Sequence, residues 1–244
     1  MNKLRHLGTP RHLRHVAIIP DGNRRFGKIH HLDVGAGHER GAKTAERVLK
    51  VALERDIPYL TIWGLSMKNI RERPQDELDA LYEIFRRYFL RVARSKTIRE
   101  NRVRVQVIGR WEEFLPPKTI KAVHTALNAT RDYGRHTLTI LLAYDATDER
   151  EAATNTAIRN CNTAKPIDET FVKQFSWSQN LPDVDLIIRT GEVDLGFVHL
   201  SGNILPFHTK ESLIAYTPTF WPSFSPEFGL ILDRYEIVEQ RHGR

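Results

Sequence analysis

Short apolar runs alternate with longer amphipathic stretches along the whole chain. Val16–Pro20 is β-branched, of strand length and closed by a proline. Gly35–Gly37 then punctuates the start of a helix expected over about 38–55, where Ala42, Ala45, Val48, Leu49 and Ala52 share one face. Tyr59–Leu65 reads as a second strand. Pro74 opens a long helix over about 75–95, its apolar stripe running from Leu78 through Phe85, Tyr88 and Phe89 to Val92. Val103–Ile108 and Thr137–Ala143 are the third and fourth strands, with Ile120–Leu127 part of a helix between them and a helical stretch near 148–160 after them. A polar loop, Asn162–Asp168, precedes a short helix. Val184–Ile188 and Ser212–Tyr216 supply a fifth and a sixth strand, and Ser225–Gln240 a closing helix.

Strands alternating with helices predict an α/β fold, a mainly parallel sheet of about six strands surrounded by helices. No repeat or linker divides the chain, so residues 15–244 read as one domain behind a loose basic arm, residues 1–14, with Arg5, Arg11 and Arg14. At 244 residues and 41% hydrophobic, the chain can bury a sizeable core. The single cysteine, Cys161, excludes an internal disulfide framework and a four-thiolate zinc site, and fits a reducing cytoplasm. No apolar run approaches the roughly 20 residues of a spanning helix, and the basic start leads into a strand rather than a signal-peptide core. A net charge of +7 favours an anionic partner, whether nucleic acid, membrane surface or phosphorylated small molecule, but a solvated basic surface explains it equally well.

In parallel sheets, ligands sit beyond the carboxyl ends of the strands. Three of the expected strands end in chemically loaded loops. The first is Asp21-Gly22-Asn23-Arg24-Arg25. Its acid can ligate Mg²⁺, its glycine lets backbone approach a ligand, and its arginines present planar forks to phosphate oxygens. Read locally, an ordinary Asp-Gly turn with exposed arginines explains it somewhat better. No Gly-Lys-Ser/Thr ending makes it a Walker loop. His38, near a helix start, could donate to phosphate with help from the helix dipole, or simply belong to the capping region. The second loop, Ser66 to Asn69, offers a hydroxyl and an amide, followed by Arg71 and Arg73. The third, Arg189-Thr-Gly-Glu192, again sets an arginine and a glycine at a strand end. No spaced histidine pair, nucleophile elbow or G-x-G-x-x-G fingerprint competes with these loops.

Taken in order, the segments HVAIIPDGNRRF (His15–Phe26), GHERG (Gly37–Gly41), LTIWGLSMKNIRERP (Leu60–Pro74), VDLIIRTGE (Val184–Glu192, with Asp185) and WPSF (Trp221–Phe224) resemble the cis-prenyltransferase family, the undecaprenyl and dehydrodolichyl diphosphate synthases. The resemblance covers His15 to Gly243. It implies a Mg²⁺-dependent, homodimeric, cytoplasmic enzyme, with peripheral membrane association as an option. Such an enzyme ionises an allylic diphosphate and couples it to isopentenyl diphosphate with a Z double bond. By the same resemblance, Asp21 is the essential aspartate at the metal, and Gly22, Asn23, Arg24, Arg25, Phe26 and His38 belong to the allylic cradle. Asn69 is the asparagine implicated in proton removal, with Ser66 and Arg73 beside it. Arg189 and Glu192 hold isopentenyl diphosphate, and the helix over 75–95 becomes a wall of the product tunnel.

The chain also departs from the family pattern. Lys68 replaces an acid and Ile70 an aromatic, Val34 stands where an arginine is usual, and Tyr144-Asp-Ala-Thr147 replaces a Tyr-Gly-Gly-Arg turn. The segment from Arg189 to Trp221 is about five residues longer than usual. It puts Leu200 at a second phosphate arginine and Leu213 at a metal-binding glutamate, with Glu211 two positions away. The resemblance therefore implies an intact donor half and a rewritten acceptor half, compatible with an unusual acceptor. Two other readings stand beside the enzyme. One is a non-catalytic partner subunit of an active synthase, against which Asp21 speaks. The other is a basic nucleic-acid binder, which explains none of the ordered loops; no nucleic acid is expected.

Overall fold

The computed structural model describes residues 13–161, 167–191 and 204–237. The strands β1 (His15–Ile19), β2 (Tyr59–Ser66), β3 (Val103–Ile108), β4 (His136–Tyr144), β5 (Leu186–Arg189) and β6 (Leu213–Tyr216) form one sheet in the order β3-β4-β2-β1-β5-β6. Every pairing in it is parallel. The helices, in chain order, are α1 (Asn23–Ile29), α2 (Val34–Glu54), α3 (Met67–Glu72), α4 (Gln75–Val92), α5 (Lys96–Glu100), α6 (Trp111–Phe114), α7 (Pro117–Thr130), α8 (Ala146–Asn160), α9 (Glu169–Lys173) and α10 (Ser225–Ile237), with a 3₁₀ turn at Trp221–Ser223.

β1 sits at the centre, buried along its whole length. Its alternate residues face two cores. Val16 and Ile18 join the larger one, with Val48 and Leu49 of α2 and the α4 stripe. Ala17 and Ile19 join the smaller one around Tyr144 and Leu181. Burial on both faces is why β1 reads as a continuous apolar run rather than an alternation. The chain pairs β2 and β5 on opposite sides of β1, so the order of strands reverses there. Such a reversal opens a crevice beyond the strand ends.

Four local expectations are corrected. The stretch after Asp21 is not a loop but the helix α1, which Gly22 opens from a left-handed conformation. The next helix begins at Val34 behind an Asp33 cap rather than at 38, with Gly35 and Gly37 inside its first turns. Gly37 is needed there because α1 crosses at close range: a Cβ on it would lie 2.7 Å from the Asn23 carbonyl oxygen. The long helix begins at Gln75 behind Pro74, as expected, but ends at Val92 rather than near 95. Arg14, assigned to the loose arm, is instead tied to the sheet. Its N–H donates to Asp185 at 2.8 Å, and its carbonyl accepts from Tyr59 N–H at 3.0 Å. Residues 1–12, most of the polar loop before α9, and the end of the closing helix beyond Ile237 lie outside the described residues.

Candidate active site

β1, β2 and β5 run parallel, so the three loaded segments leave the sheet at the same edge. The β1–β5 register pairs Ile19 with Arg189, which sets Arg189 beside the residues that lead into Asp21. The Asp21 main chain is held from the β5 side. Its N–H donates to Thr190 Oγ1 at 2.8 Å, and its carbonyl accepts from Thr190 Oγ1 at 3.1 Å and from Trp221 N–H at 2.9 Å. Gly22 then turns the chain at φ +101°, and a Cβ there would come within 2.5 Å of the Phe220 ring.

The Asp21 carboxylate is bracketed by two arginines. Arg189 Nη2 lies 3.0 Å from Oδ2 and Arg25 Nη2 lies 3.3 Å from Oδ1. Arg25 also donates to the Gly191 carbonyl at 2.6 Å and stacks over Phe220, 5.0 Å from the ring centre. The Asp21 side chain remains 40% exposed, so a ligand can still reach it from the cleft.

Across the cleft, Ser66 caps α3. Its Oγ accepts from Asn69 N–H at 3.0 Å, and the Asn69 side chain reaches back to the Ser66 N–H, a capping box that fixes the amide. Arg73 follows α3, and its Nη1 lies 2.8 Å from Oε1 of the buried Glu77. The same oxygen lies 3.1 Å from His38 Nε2. A carboxylate only accepts, so this ring nitrogen is the protonated one. Burial holds the His38 ring below the ordinary histidine value; the hydrogen bond to Glu77 opposes this, and the charges of Arg73 and Arg24 add to it. His38 stands in the second turn of α2, beyond the first-turn reach of the helix dipole, so the help expected from that dipole is replaced by Glu77.

These groups surround one cavity of about 670 Å³. Asp21, Arg24, Arg25, Arg73 and Arg189 line its polar part, while Ile62, Leu81, Ile84, Phe85, Tyr88 and Ile140 line its apolar part. The structure thus brings together Asp21, Gly22, Asn23, Arg24, Arg25, His38, Ser66, Asn69, Arg73 and Arg189 from the expected set. Phe26 is set apart. It does not line the cavity but is buried against His30, ring centres 4.2 Å apart, because the turn of α1 carries position 26 away from Arg24 and Arg25. Phe89 is likewise core, at 0% exposure, rather than cavity wall. Glu192 and Leu200 lie outside the described residues.

Glu211 is exposed just before β6, at the end of the strand away from the cleft, and supplies no second carboxylate beside Asp21. Among the described residues no cluster of three or more metal-ligating side chains exists. Lys68, Glu72 and Asp145 also line the cavity. Glu77 and Thr190 were missed by sequence reasoning. The four-residue spacing of Arg73 and Glu77 was a usable signal for the first; nothing local marks the second.

Residues 19–243 match the family described as "Putative undecaprenyl diphosphate synthase". A Pyrococcus horikoshii protein named tritrans,polycis-undecaprenyl-diphosphate synthase (geranylgeranyl-diphosphate specific) is 34% identical over 236 residues, 95% of this chain and 87% of its own. A Thermotoga maritima isoprenyl transferase is 34% identical over 234 residues, 94% of this chain and 96% of its own. Among solved structures, lavandulyl diphosphate synthase from Lavandula x intermedia, in complex with dimethylallyl diphosphate, superposes with a TM-score of 0.83 at 24% identity. That match covers 95% of this chain and 98% of the other, and speaks for the fold. The family match and the relatives each span nearly the whole chain, and the chain belongs to the undecaprenyl diphosphate synthase family of cis-prenyltransferases.

Proposed function

We propose that this protein couples an allylic diphosphate to isopentenyl diphosphate, with Mg²⁺, to build a Z-type prenyl chain. The observation that carries this is the two-part cavity: the Asp21 carboxylate shares its polar part with Arg24, Arg25, Arg73 and Arg189, and this part is continuous with an apolar wall from β2, β4 and α4. A diphosphate suits the first part and a prenyl tail the second. The Asp21 carboxylate, 40% exposed toward the cleft, fits Mg²⁺ bound together with substrate phosphate, since this ion takes one or two protein carboxylates and keeps oxygen ligands from phosphate and water. When bound, the ion would neutralise charge on the leaving diphosphate.

The chain's own residues do the rest. Arg24, Arg25, Arg73 and His38 bind the donor diphosphate, and their fixed positive charges and donors stabilise it most as its bond to C1 of the prenyl group breaks. The apolar wall keeps water from the resulting allylic cation. C4 of isopentenyl diphosphate attacks that C1, leaving a cation at C3. Loss of a C2 proton to an oxygen of the departing diphosphate closes the new double bond. Asn69, fixed by the Ser66 capping box, orients the groups between which that proton moves. Arg189, beside Asp21, is the proposed arginine for isopentenyl diphosphate. The name of the Pyrococcus relative supports geranylgeranyl diphosphate as the donor to test first. An amphiphilic product would bring the enzyme to a membrane surface; among the described residues no helix is long and apolar enough to cross one.

The test supplies purified protein with Mg²⁺, labelled isopentenyl diphosphate and, in turn, dimethylallyl, geranyl, farnesyl or geranylgeranyl diphosphate. Elongated product from one of these donors, absent in Asp21→Ala, is expected. Product formed from donor alone would assign the acceptor half to a second allylic diphosphate. No product from any pair would reassign the chain as a non-catalytic partner subunit.

A further inference from the structure

The donor side of the cavity is organised by an acid that does not itself line it. Glu77, in the first turn of α4, is only 6% exposed. Its Oε1 accepts from Arg73 at 2.8 Å and from His38 at 3.1 Å, so one oxygen joins the corner between α3 and α4 to the second turn of α2. Arg73 Nε is buried without a hydrogen-bond partner, while its Nη1 is held by the Glu77 carboxylate. Arg24 acts electrostatically on both Arg73 and His38, and Asp21 acts on Arg73, so the cluster adjoins the turn after β1. Arg73 and His38 line the cavity; Glu77 stands behind them.

We propose that Glu77 is a positioning residue, holding the Arg73 fork and the protonated His38 nitrogen in the orientation that receives the donor diphosphate. This rests on the prenyl-transfer reading of the cavity. Two simpler roles make opposite predictions. As a bare charge, Glu77 repels the diphosphate, and removing it would tighten binding. As a strut between α2 and α4, it would affect stability and leave the two substrates equally treated. Positioning instead predicts selective loss of donor recognition when the acid is removed, and recovery when an accepting oxygen of the same reach is put back.

The experiment measures Mg²⁺-dependent binding of inorganic pyrophosphate by calorimetry, KM for the allylic donor and for isopentenyl diphosphate, and urea unfolding. It compares wild type with Glu77→Ala, Glu77→Gln and Glu77→Asp. Displacement of a clamp by about 1 Å can cost on the order of 100-fold, so Glu77→Ala is expected to weaken pyrophosphate by at least about 10-fold and raise donor KM alike. KM for isopentenyl diphosphate should stay within about twofold, and Glu77→Gln should recover most of the loss. Glu77→Asp, one methylene short but still charged, should remain weak, and serves if Glu77→Ala does not fold.

Unchanged or tighter pyrophosphate binding in Glu77→Ala or Glu77→Asp overturns the assignment. So does a folded Glu77→Gln no better than Glu77→Ala, or an equal rise in both KM values. If wild type binds pyrophosphate through Glu77 but transfers no prenyl group from any pair, the functional reading fails and the Glu77 assignment to an anion site stands. If wild type transfers prenyl groups and its variants do not differ, only the Glu77 assignment fails. Wild type that binds no pyrophosphate and shows no transfer overturns both.

Discussion

Thr190→Val keeps the shape of a fully buried side chain and removes the one hydroxyl that holds the Asp21 main chain to β5. That oxygen accepts from Asp21 N–H at 2.8 Å and donates to the Asp21 carbonyl at 3.1 Å. After the change the carbonyl keeps Trp221 N–H, but the Asp21 N–H loses its acceptor. A hydrogen bond contributes about 0.5–1.5 kcal/mol net, and a stranded buried donor costs about 1–3 kcal/mol. Because Asp21 is only part-buried, the lower half of that range applies, about 1–2 kcal/mol. The kinetic effect should be larger. A shift of about 1 Å in a catalytic group can cost on the order of 100-fold, and Asp21 would no longer be fixed between Arg25 and Arg189. Urea unfolding gives the first quantity and kcat/KM with the allylic donor the second. Thr190→Ser is the control: it retains the hydroxyl and loses a methyl group worth about 0.8 kcal/mol. Valine should therefore lose activity that serine keeps. Equal kcat/KM for the two variants would refute the argument and leave Thr190 a space-filling residue.

Gly22→Ala should destabilise the protein by about 1–2 kcal/mol from its left-handed backbone alone, with a further collision against Phe220. A double-mutant cycle with Phe220→Ala should recover the part of the collision made by the ring, but not the contact with the Phe220 Cβ at 2.9 Å or the backbone cost. His15 and His208 are both buried, and burial lowers each to about 4. In His208, nearby Lys173 adds to the lowering; in both, Asp183 works against it. Their unfolded value is higher, so their neutral forms favour the fold above about pH 6.5, and this stability is lost as pH falls toward 4. Denaturant unfolding at pH 7.5 and 4.5 should differ by about 2–3 kcal/mol per histidine, and His208→Phe should remove part of that slope. Phe85→Ala should lengthen the prenyl product, read by chromatography, because Phe85 lines the cavity. Phe89→Ala should instead cost about 3–5 kcal/mol of stability with product length unchanged, because Phe89 is fully buried core.

How much of the site was legible can be argued from single residues. Asp21, Arg24, Arg25 and Arg189 were visible only together: each loaded strand end alone passes for an ordinary turn, but three such ends recur in one order. Phe26 was misjudged because contiguity in a motif says nothing about which way a helix turns its residues, and α1 itself was invisible behind an Asp-Gly turn signal. Phe85 and Phe89 are alike in the sequence, four residues apart on one stripe, yet one lines the cavity and the other the core. A helix periodicity marks the buried face without saying what it faces.

The chain's local chemistry therefore determined the alternation of strands and helices, the parallel sheet, and the acid and arginines placed at strand ends. Periodicity and turn chemistry act within a few residues, and these features need no more. Pairing β1 with β5 was a tertiary decision, and so was everything that follows from it. It brings Arg189 and Thr190 to Asp21 across some 168 residues of sequence. Tertiary packing likewise makes contacts that no local pattern states: Phe220 beneath Gly22, and Glu77 of α4 behind His38 of α2. Such contacts depend on sheet order and helix crossing, which arise from burying both faces of β1 at once.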